Sequence, residues 1–253
     1  MSAGVPEKDP DPVPADDTSA NRRADPRRLH PVETIQDRLQ AITEAARIDL
    51  AYLHDDRSRA HVADACRDLP RVLDVGGGMR GHLDGHPGVE TLDLNDLDDG
   101  DKLYRPDLLG DICSPLPPRL HGRYDAAVAL AILEHVYDPP AAVANLRVAL
   151  RPGGRLFVYV PWMWRYHAPQ SLIFQDYQRF SRDGLAYLLR DFEDVTLYPL
   201  RGKYSAIANM LRWWKPAVER RVGGRLNRWL DARTSTRRNT IQASGYFAEA
   251  RRP

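Results

Sequence analysis

Between residues 70 and 161 short apolar runs alternate with polar, glycine-containing stretches. Arg71–Val75, Val89–Leu94, Tyr124–Leu130 and Arg155–Val160 are β-branched or apolar runs of strand length, and all but Tyr124–Leu130 are flanked on both sides by Gly, Pro or Asn. Leu109–Ile112 predicts a further short strand, Val195–Leu200 a sixth and Ser244–Ala250 a seventh. Between them, Ala141–Leu150 and Ser181–Leu189 read as helices, the second with Ser181 as its N-cap and Asp183 in its first turn. Strands that alternate with helices predict an α/β sandwich around a mostly parallel sheet.

The rest of the chain reads differently. Residues 1–30 carry Pro6, Pro10, Pro12, Pro14 and Pro26 among Asp, Arg and Ala, and hold few large apolar side chains. That pattern predicts a disordered tail. From Val32 the spacing turns helical through Ile35, Leu39, Ile42, Ala46, Ile48, Leu50 and Leu53, and a second helix is expected over 58–67. Residues 32–69 therefore read as a helical cap before a core domain of 70–253, and 204–231 as a basic helical insert within that domain. No internal repeat is present.

Composition narrows the class. Hydrophobic residues make up 43% of the 253, enough for a sizeable core. No apolar run reaches the length of a membrane-spanning helix, and the N-terminus shows no secretion signal. The two cysteines, Cys66 and Cys113, have neither metal-like nor redox spacing, which suits a cytoplasmic protein. The net charge of +1 hides an asymmetry. Residues 201–253 hold 13 Lys and Arg against 3 Asp and Glu, a balance of +10, so the first 200 carry −9. A basic end on an acidic body can attract an anionic substrate, a nucleic acid or a membrane surface; equally, it can be a solvated helix face. Trp213, Trp214 and Trp229 among Arg212, Lys215, Arg220, Arg221, Arg225 and Arg228 suit peripheral membrane contact or a cover over a pocket. Gly223-Gly224 interrupts any long amphipathic helix there and favours a plain packed helix pair.

The most informative stretch is Val72-Leu-Asp-Val-Gly-Gly-Gly-Met-Arg-Gly-His-Leu83. A strand ends there and the chain turns sharply, where glycine allows positive φ and close approach to a ligand. Ligands of such sheets sit beyond the carboxyl ends of the strands. Gly76-x-Gly78-x-x-Gly81 matches a dinucleotide fingerprint, and Asp93 stands near the position of a ribose-binding carboxylate. Asp74, just before the glycines, argues for a cationic ligand instead, since it would repel a pyrophosphate. An ammonium and a sulfonium, as in S-adenosylmethionine, suit it.

Further motifs follow in order. Leu92-Asp-Leu94, Gly110-Asp-Ile112, Tyr124-Asp-Ala-Ala-Val-Ala-Leu-Ala-Ile-Leu-Glu-His-Val136 and Leu150-Arg-Pro-Gly-Gly-Arg-Leu-Phe-Val158 succeed the glycine loop. With Val72–Gly78 they resemble the class I S-adenosylmethionine-dependent methyltransferases, particularly the bacterial type 11-like group. The resemblance covers about 70–161 and continues more loosely through His167, Asp176-Tyr-Gln-Arg-Phe-Ser181 and Gly245-Tyr-Phe247. It implies a Rossmann-like, mostly parallel seven-stranded sheet with helices on both faces and the last strand antiparallel. It implies S-adenosylmethionine as methyl donor, held by Asp74, Gly76, Gly78, Asp93 at the ribose and Asp111 at the adenine. One departure stands out: Arg80 occupies the place of the family's third glycine and can pair with the donor's carboxylate.

Methyl transfer needs alignment of donor and acceptor and, for some acceptors, removal of a proton. His167 and His135 are the candidate bases, with Asp176 to orient His167 or bind an acceptor hydroxyl. Each has a structural reading beside it: His135 as a brace of the turn, His167 as packed on Trp162, Trp164 and Tyr166, and Asp176–Arg179 as a pair fixing the loop. Tyr177, Arg179 and Trp164 are the candidate acceptor contacts, Arg179 for an anionic group. No His, Cys or Asp cluster shows metal-ligand spacing, so no metal is expected. Asp138-Pro139-Pro140 lacks the aromatic residue of amino-directed nucleic-acid methyltransferases, so nucleic acid is not the expected partner. The expected acceptor is a small molecule or a glycan- or lipid-linked one, methylated on oxygen. Two rival readings stay open: an NAD-dependent oxidoreductase, and a non-catalytic module docking on anionic polymers or membrane through the basic end.

Overall fold

A computed structural model of the protein describes residues 32–54, 57–78, 82–83, 85–98, 103–168, 174–211 and 224–253. The chain divides into a unit of Met1–Arg38 and a second of Leu39–Pro253, and the sheet and the candidate site belong to the second. Residues 1–30, read as a tail, lie outside the described residues.

The elements run in order as α1 (Val32–Ala45), β1 (Arg47–Ile48), α2 (Ser58–Cys66), β2 (Val72–Val75), β3 (Val89–Asp93), β4 (Leu97–Asp98), β5 (Leu103–Tyr104) and β6 (Leu108–Leu109). After them come β7 (Tyr124–Leu130), α3 (Pro139–Ala149), β8 (Leu150–Pro161), α4 (Arg182–Leu188), β9 (Glu193–Leu200), α5 (Lys203–Leu211), α6 (Gly224–Ala232), α7 (Thr236–Ile241) and β10 (Gly245–Arg251). The main sheet has eight strands in the order β1-β9-β10-β8-β7-β2-β3-β6. β10 alone runs antiparallel, to both β8 and β9, and the other pairings are parallel. This is the expected Rossmann-like sheet with one strand added. The addition, β1, comes from the segment read as helix through Leu53. The helix stops at Ala45 because Arg47 and Ile48 pair with Thr196 and Leu197 at the sheet edge, and the Asp49 N–H reaches the Leu197 carbonyl at 2.9 Å.

Alternation along the strands divides the core between the two faces. Leu73 and Val75 of β2, Ala127 and Ala129 of β7, and Leu156, Val158 and Val160 of β8 pack on one face with Leu146 of α3 and Leu185 of α4. Val72, Ala126, Val128, Leu130 and Phe157 pack on the other with Val62 and Cys66 of α2. Both faces of these strands are buried, which explains why they read as unbroken apolar runs. The helices start on local signals. The Asp138 carboxylate accepts from the Ala141 N–H at 3.1 Å, with Pro139 in the first turn of α3. Ser181 Oγ accepts from the Gly184 N–H at 3.1 Å and opens α4.

Among the described residues the basic insert holds two helices, α5 and α6; Arg212, Trp213, Trp214, Lys215, Arg220 and Arg221 lie outside the described residues. Asp231 of α6 is 1% exposed, and its carboxylate accepts from the N–H groups of Gly202, Tyr204 and Ser205 and from the Ser205 hydroxyl. A carboxylate at the N-terminus of α5 meets unpaired donors and the positive end of the helix dipole.

Candidate active site

The strand order reverses at β2: the chain passes from β2 through β3 to β6 on one side, then returns to β7 on the other. The carboxyl ends of β2 and β7 flank this switch point, where such sheets take ligands. Both strands leave it through unusual backbone. Gly76 and Gly78 have φ of +65° and +56°, and Ala131, just past β7, has φ of +59° although it carries a side chain. A Cβ on Gly76 would stand 2.0 Å from Ile132 Cδ1 and 2.6 Å from its Cγ1, so the two turns are packed together and only glycine fits.

Acidic side chains stand along the same edge. Asp93 closes β3, and its Oδ1 accepts from the Leu94 N–H at 2.8 Å. Burial raises its carboxyl above the usual range against the hydrogen bonds of Leu94 and Gly78. Asp111 follows β6, and its carboxylate accepts from the Cys113 N–H, the Ser114 hydroxyl and the Tyr137 hydroxyl, the last at 2.7 Å. Burial works against its ionisation, but these hydrogen bonds outweigh it and hold the carboxyl below its ordinary value. Asp74 is turned inward. It is 1% exposed; its Oδ2 accepts from the His82 N–H at 2.8 Å, and its Oδ1 lies 2.6 Å from His82 Nδ1. The expectation that Asp74 meets the donor's ammonium directly thus faces a carboxylate already engaged within the protein. Met79, Arg80 and Gly81 lie outside the described residues, and with them the expected Arg80 contact.

The segment after β7 and the segments after β8 meet at a second cluster. Glu134 is fully buried, and among the described residues neither of its carboxylate oxygens has a hydrogen-bond partner. His167 Nε2 and His135 Nε2 stand 3.6 and 3.7 Å from Glu134 Oε1 and 3.1 Å from each other. Each imidazole is fixed from behind. His135 Nδ1 lies 2.6 Å from the Gln175 carbonyl, and His167 Nδ1 lies 3.1 Å from Asp176 Oδ2. The Glu134 carboxylate raises the pKa of His167, with burial opposing. The Tyr177 N–H holds the Glu134 carbonyl at 2.8 Å.

Asp176 and Arg179 brace this arrangement. Asp176 is almost fully buried and accepts from the His167 N–H at 3.0 Å. Burial opposes its ionisation, but Arg179 and His167 outweigh it and hold the carboxyl low. The Arg179 guanidinium donates to Asp176 and to the carbonyls of Trp164, Arg165 and Gln178. It is committed to the loop, not turned to a ligand. The Tyr177 side chain is 53% exposed and donates to Gln175 Oε1.

Trp164 lines a cavity of about 440 Å³ at the carboxyl end of the sheet, with Leu130, Tyr159, Arg57, Arg59 and Arg201. The three arginines and Glu134 were not among the sequence candidates. Glu134 adjoins His135 in the sequence, a signal in plain view. Arg57, Arg59 and Arg201 come from distant segments and share no local pattern.

Family comparison decides the class. A family described as "Methyltransferase domain" matches residues 45–220, more than half of the chain. The chain belongs to this methyltransferase family. With that, the resemblance to class I S-adenosylmethionine-dependent methyltransferases stands, and S-adenosylmethionine is the cofactor. The methyltransferase edge fits such a group: a glycine turn without room for a side chain, and carboxylates at the end of β3 and just after β6. No curated protein matches the methyltransferase in sequence. Among solved structures it is similar to the [4+2]-cyclase SpnF, at 18% identity over 87% of this chain and 92% of that one, with a TM-score of 0.47. It is also similar to the Burkholderia thailandensis 1,6-didemethyltoxoflavin-N1-methyltransferase, solved with 1,6-didemethyltoxoflavin and S-adenosylhomocysteine, at 15% identity over 90% and 92% with a TM-score of 0.44. An Archaeoglobus fulgidus SAM-dependent methyltransferase matches at 16% identity over 76% and 94%, with a TM-score of 0.44. No helix among the described residues is long and apolar enough to cross a membrane.

Proposed function

We propose that the methyltransferase acts on a small-molecule acceptor and methylates it on oxygen. The observation that carries this reading is the pair of imidazoles converging on buried Glu134, with Nε2 atoms 3.1 Å apart. A hydroxyl is a poor nucleophile until its proton is drawn off, and this cluster is built to do that. When bound, S-adenosylmethionine supplies an electrophilic methyl group.

The chain's own residues do the rest. Gly76 and Gly78 give the turn against which the donor lies, Asp93 accepts from its ribose hydroxyls, and Asp111 faces its adenine end. Asp74 acts one layer back, fixing the loop's return through His82. His167 and His135 face the acceptor, and Asp176 is a positioning residue that holds the His167 ring. The cavity lined by Trp164 and Tyr159 has the size of a small-ligand pocket, and Arg57, Arg59 and Arg201 suit an acceptor bearing a carboxylate or phosphate. A glycan- or lipid-linked acceptor remains compatible if its anionic portion enters this cavity.

The test is incubation of cell extract with the protein and isotopically labelled S-adenosylmethionine, followed by mass spectrometry. A labelled methyl ether on an anionic small molecule is the expected product; a labelled amine or carbon product would overturn the oxygen assignment. With that acceptor in hand, His167→Ala is expected to slow transfer about a hundredfold or more. A rate within about twofold of the parent would remove His167 from the mechanism.

A further inference from the structure

Glu134, His135 and His167 bring three electron-pair donor atoms within 3.7 Å of one another, and among the described residues no proton donor satisfies all of them. The ring tautomers follow from what lies behind each imidazole. His135 Nδ1 faces a carbonyl oxygen at 2.6 Å and must donate to it, which leaves the lone pair on Nε2. His167 Nδ1 has the Asp176 carboxylate at 3.1 Å, the Arg165 carbonyl at 3.4 Å and, farther off, Arg179 Nη2 at 3.5 Å; the nearer carboxylate takes the Nδ1 proton, so the ring's lone pair also falls on Nε2. The two Nε2 atoms are 3.1 Å apart, and Glu134 Oε1 is 3.6 Å from one and 3.7 Å from the other. In neutral rings both nitrogens would be acceptors facing a carboxylate that, among the described residues, itself lacks a donor. A buried polar group left in this way calls for a proton, a water or an ion.

Distance favours an ion. A triangle with sides of 3.1, 3.6 and 3.7 Å has its centre about 2.0 Å from each corner. Bond lengths of about 2.0–2.1 Å to imidazole and 2.0–2.2 Å to carboxylate are those of Zn²⁺. The surroundings agree: a metal-ligating histidine hands its other N–H to a carboxylate or a backbone carbonyl, as His167 does to Asp176 and His135 to Gln175. The exposure is graded, with side chains 0% exposed at Glu134, 11% at His135 and 28% at His167, so the third ligand borders solvent. A site with three protein ligands and one open side is the catalytic form of a zinc-like centre.

We propose that Glu134, His135 and His167 bind one divalent transition-metal ion, with Zn²⁺ as the reference metal, leaving a position for the acceptor hydroxyl. Resting on the oxygen-methylation reading above, this specifies how the proton leaves: the hydroxyl oxygen binds the cation, its acidity rises, and the proton passes to solvent water. Two nitrogens and one carboxylate suit Zn²⁺ and its first-row neighbours better than Mg²⁺ or Ca²⁺.

The experiment uses the full chain, stripped with a chelator and titrated with Zn²⁺ by calorimetry. One equivalent is expected to bind, about a hundredfold or more weaker in His167→Ala and roughly 10–100-fold weaker in Asp176→Asn. His167 sits at the solvent border, and circular dichroism shows whether each variant is folded. A second readout needs no variant: Co²⁺ added to the stripped parent should give ligand-field absorption bands distinct from those of the aqueous ion. Absence of stoichiometric Zn²⁺ binding, an aqueous Co²⁺ spectrum, or undiminished Zn²⁺ affinity in folded His167→Ala would each overturn the site. None of these outcomes depends on which atom is methylated. A labelled methyl ether without metal binding would sink the site alone, and metal binding beside a labelled amine would sink the oxygen reading alone.

Discussion

Gly76 and Ile132 are packed so closely that a Cβ on residue 76 would stand 2.0 Å from the Ile132 δ-methyl. The turn that leaves β2 and the turn that leaves β7 therefore behave as one piece, joined at the point where the strand order reverses. Gly76→Ala is expected to displace Ile132 and strain a φ of +65°, at a cost of about 1–3 kcal/mol. Calorimetry with S-adenosylhomocysteine should show affinity at least about tenfold lower if, as proposed above, the displaced turn is the one that meets the ligand. An alanine variant with parental affinity would separate this turn from the donor site.

His82 protects Asp74. Its backbone N–H and its ring are the partners of a carboxylate that is 1% exposed. His82→Ala would leave a buried charge with one partner fewer, and such losses cost about 3–5 kcal/mol where the charge stays buried. Urea denaturation should show most of that loss. His82→Asn, which can still donate to a carboxylate, should recover part of it. Equal destabilisation by both substitutions would mean that ring packing, not the hydrogen bond, is what matters at residue 82.

Much of the fold was legible because β2, β7 and β8 are buried on both faces and so appear as unbroken apolar runs. The Ser181 and Asp138 caps were legible because each is a local event within four residues. The β1 edge strand was not: Arg47 and Ile48 continue a helical spacing, and only pairing with Thr196 and Leu197, far along the chain, makes them a strand. The candidate site divides in the same way. Gly76, Gly78, Asp93 and Asp111 stand in local motifs, and the sheet brings their segments to one edge. The cluster of Glu134 with His135 and His167 has no spacing to announce it, since the whole of β8 separates its two parts. Arg179 shows the opposite case. Its motif suggested an anion receptor, but three backbone carbonyls and Asp176 take its donors.

Arg59 offers a test of the cavity that leaves the donor edge untouched. It projects from α2 and is exposed, beside Arg57 and Arg201 at the cavity lining. A hydrogen bond to a charged group contributes about 1.5–3 kcal/mol. Arg59→Ala should therefore raise the KM for an anionic acceptor about tenfold or more, with kcat and S-adenosylhomocysteine affinity within about twofold of the parent. An unchanged KM would place the acceptor's anionic group elsewhere.

Glu249 contributes to the expected acid sensitivity of the fold. It lies on β10, with His61 Nε2 of α2 3.0 Å from its Oε2 and Arg155 Nε of β8 3.1 Å from its Oε1. Burial opposes ionisation, but the bonds from Arg155 and His61 prevail and hold the carboxyl below its ordinary 4.5. A carboxyl whose folded pKa is lowered adds stability that is fully present above the unfolded value and is lost as pH falls through the folded one. Glu249→Gln keeps the shape and removes the charge, so it should cost roughly 1–3 kcal/mol near neutral pH. The gap should narrow as pH drops below 4.5, because the parent is then losing the same ion pairs. Urea midpoints for parent and variant, measured from neutral pH down into the acid range, read this directly. A gap that stayed constant throughout would show that Glu249 stabilises the fold by packing and not by charge.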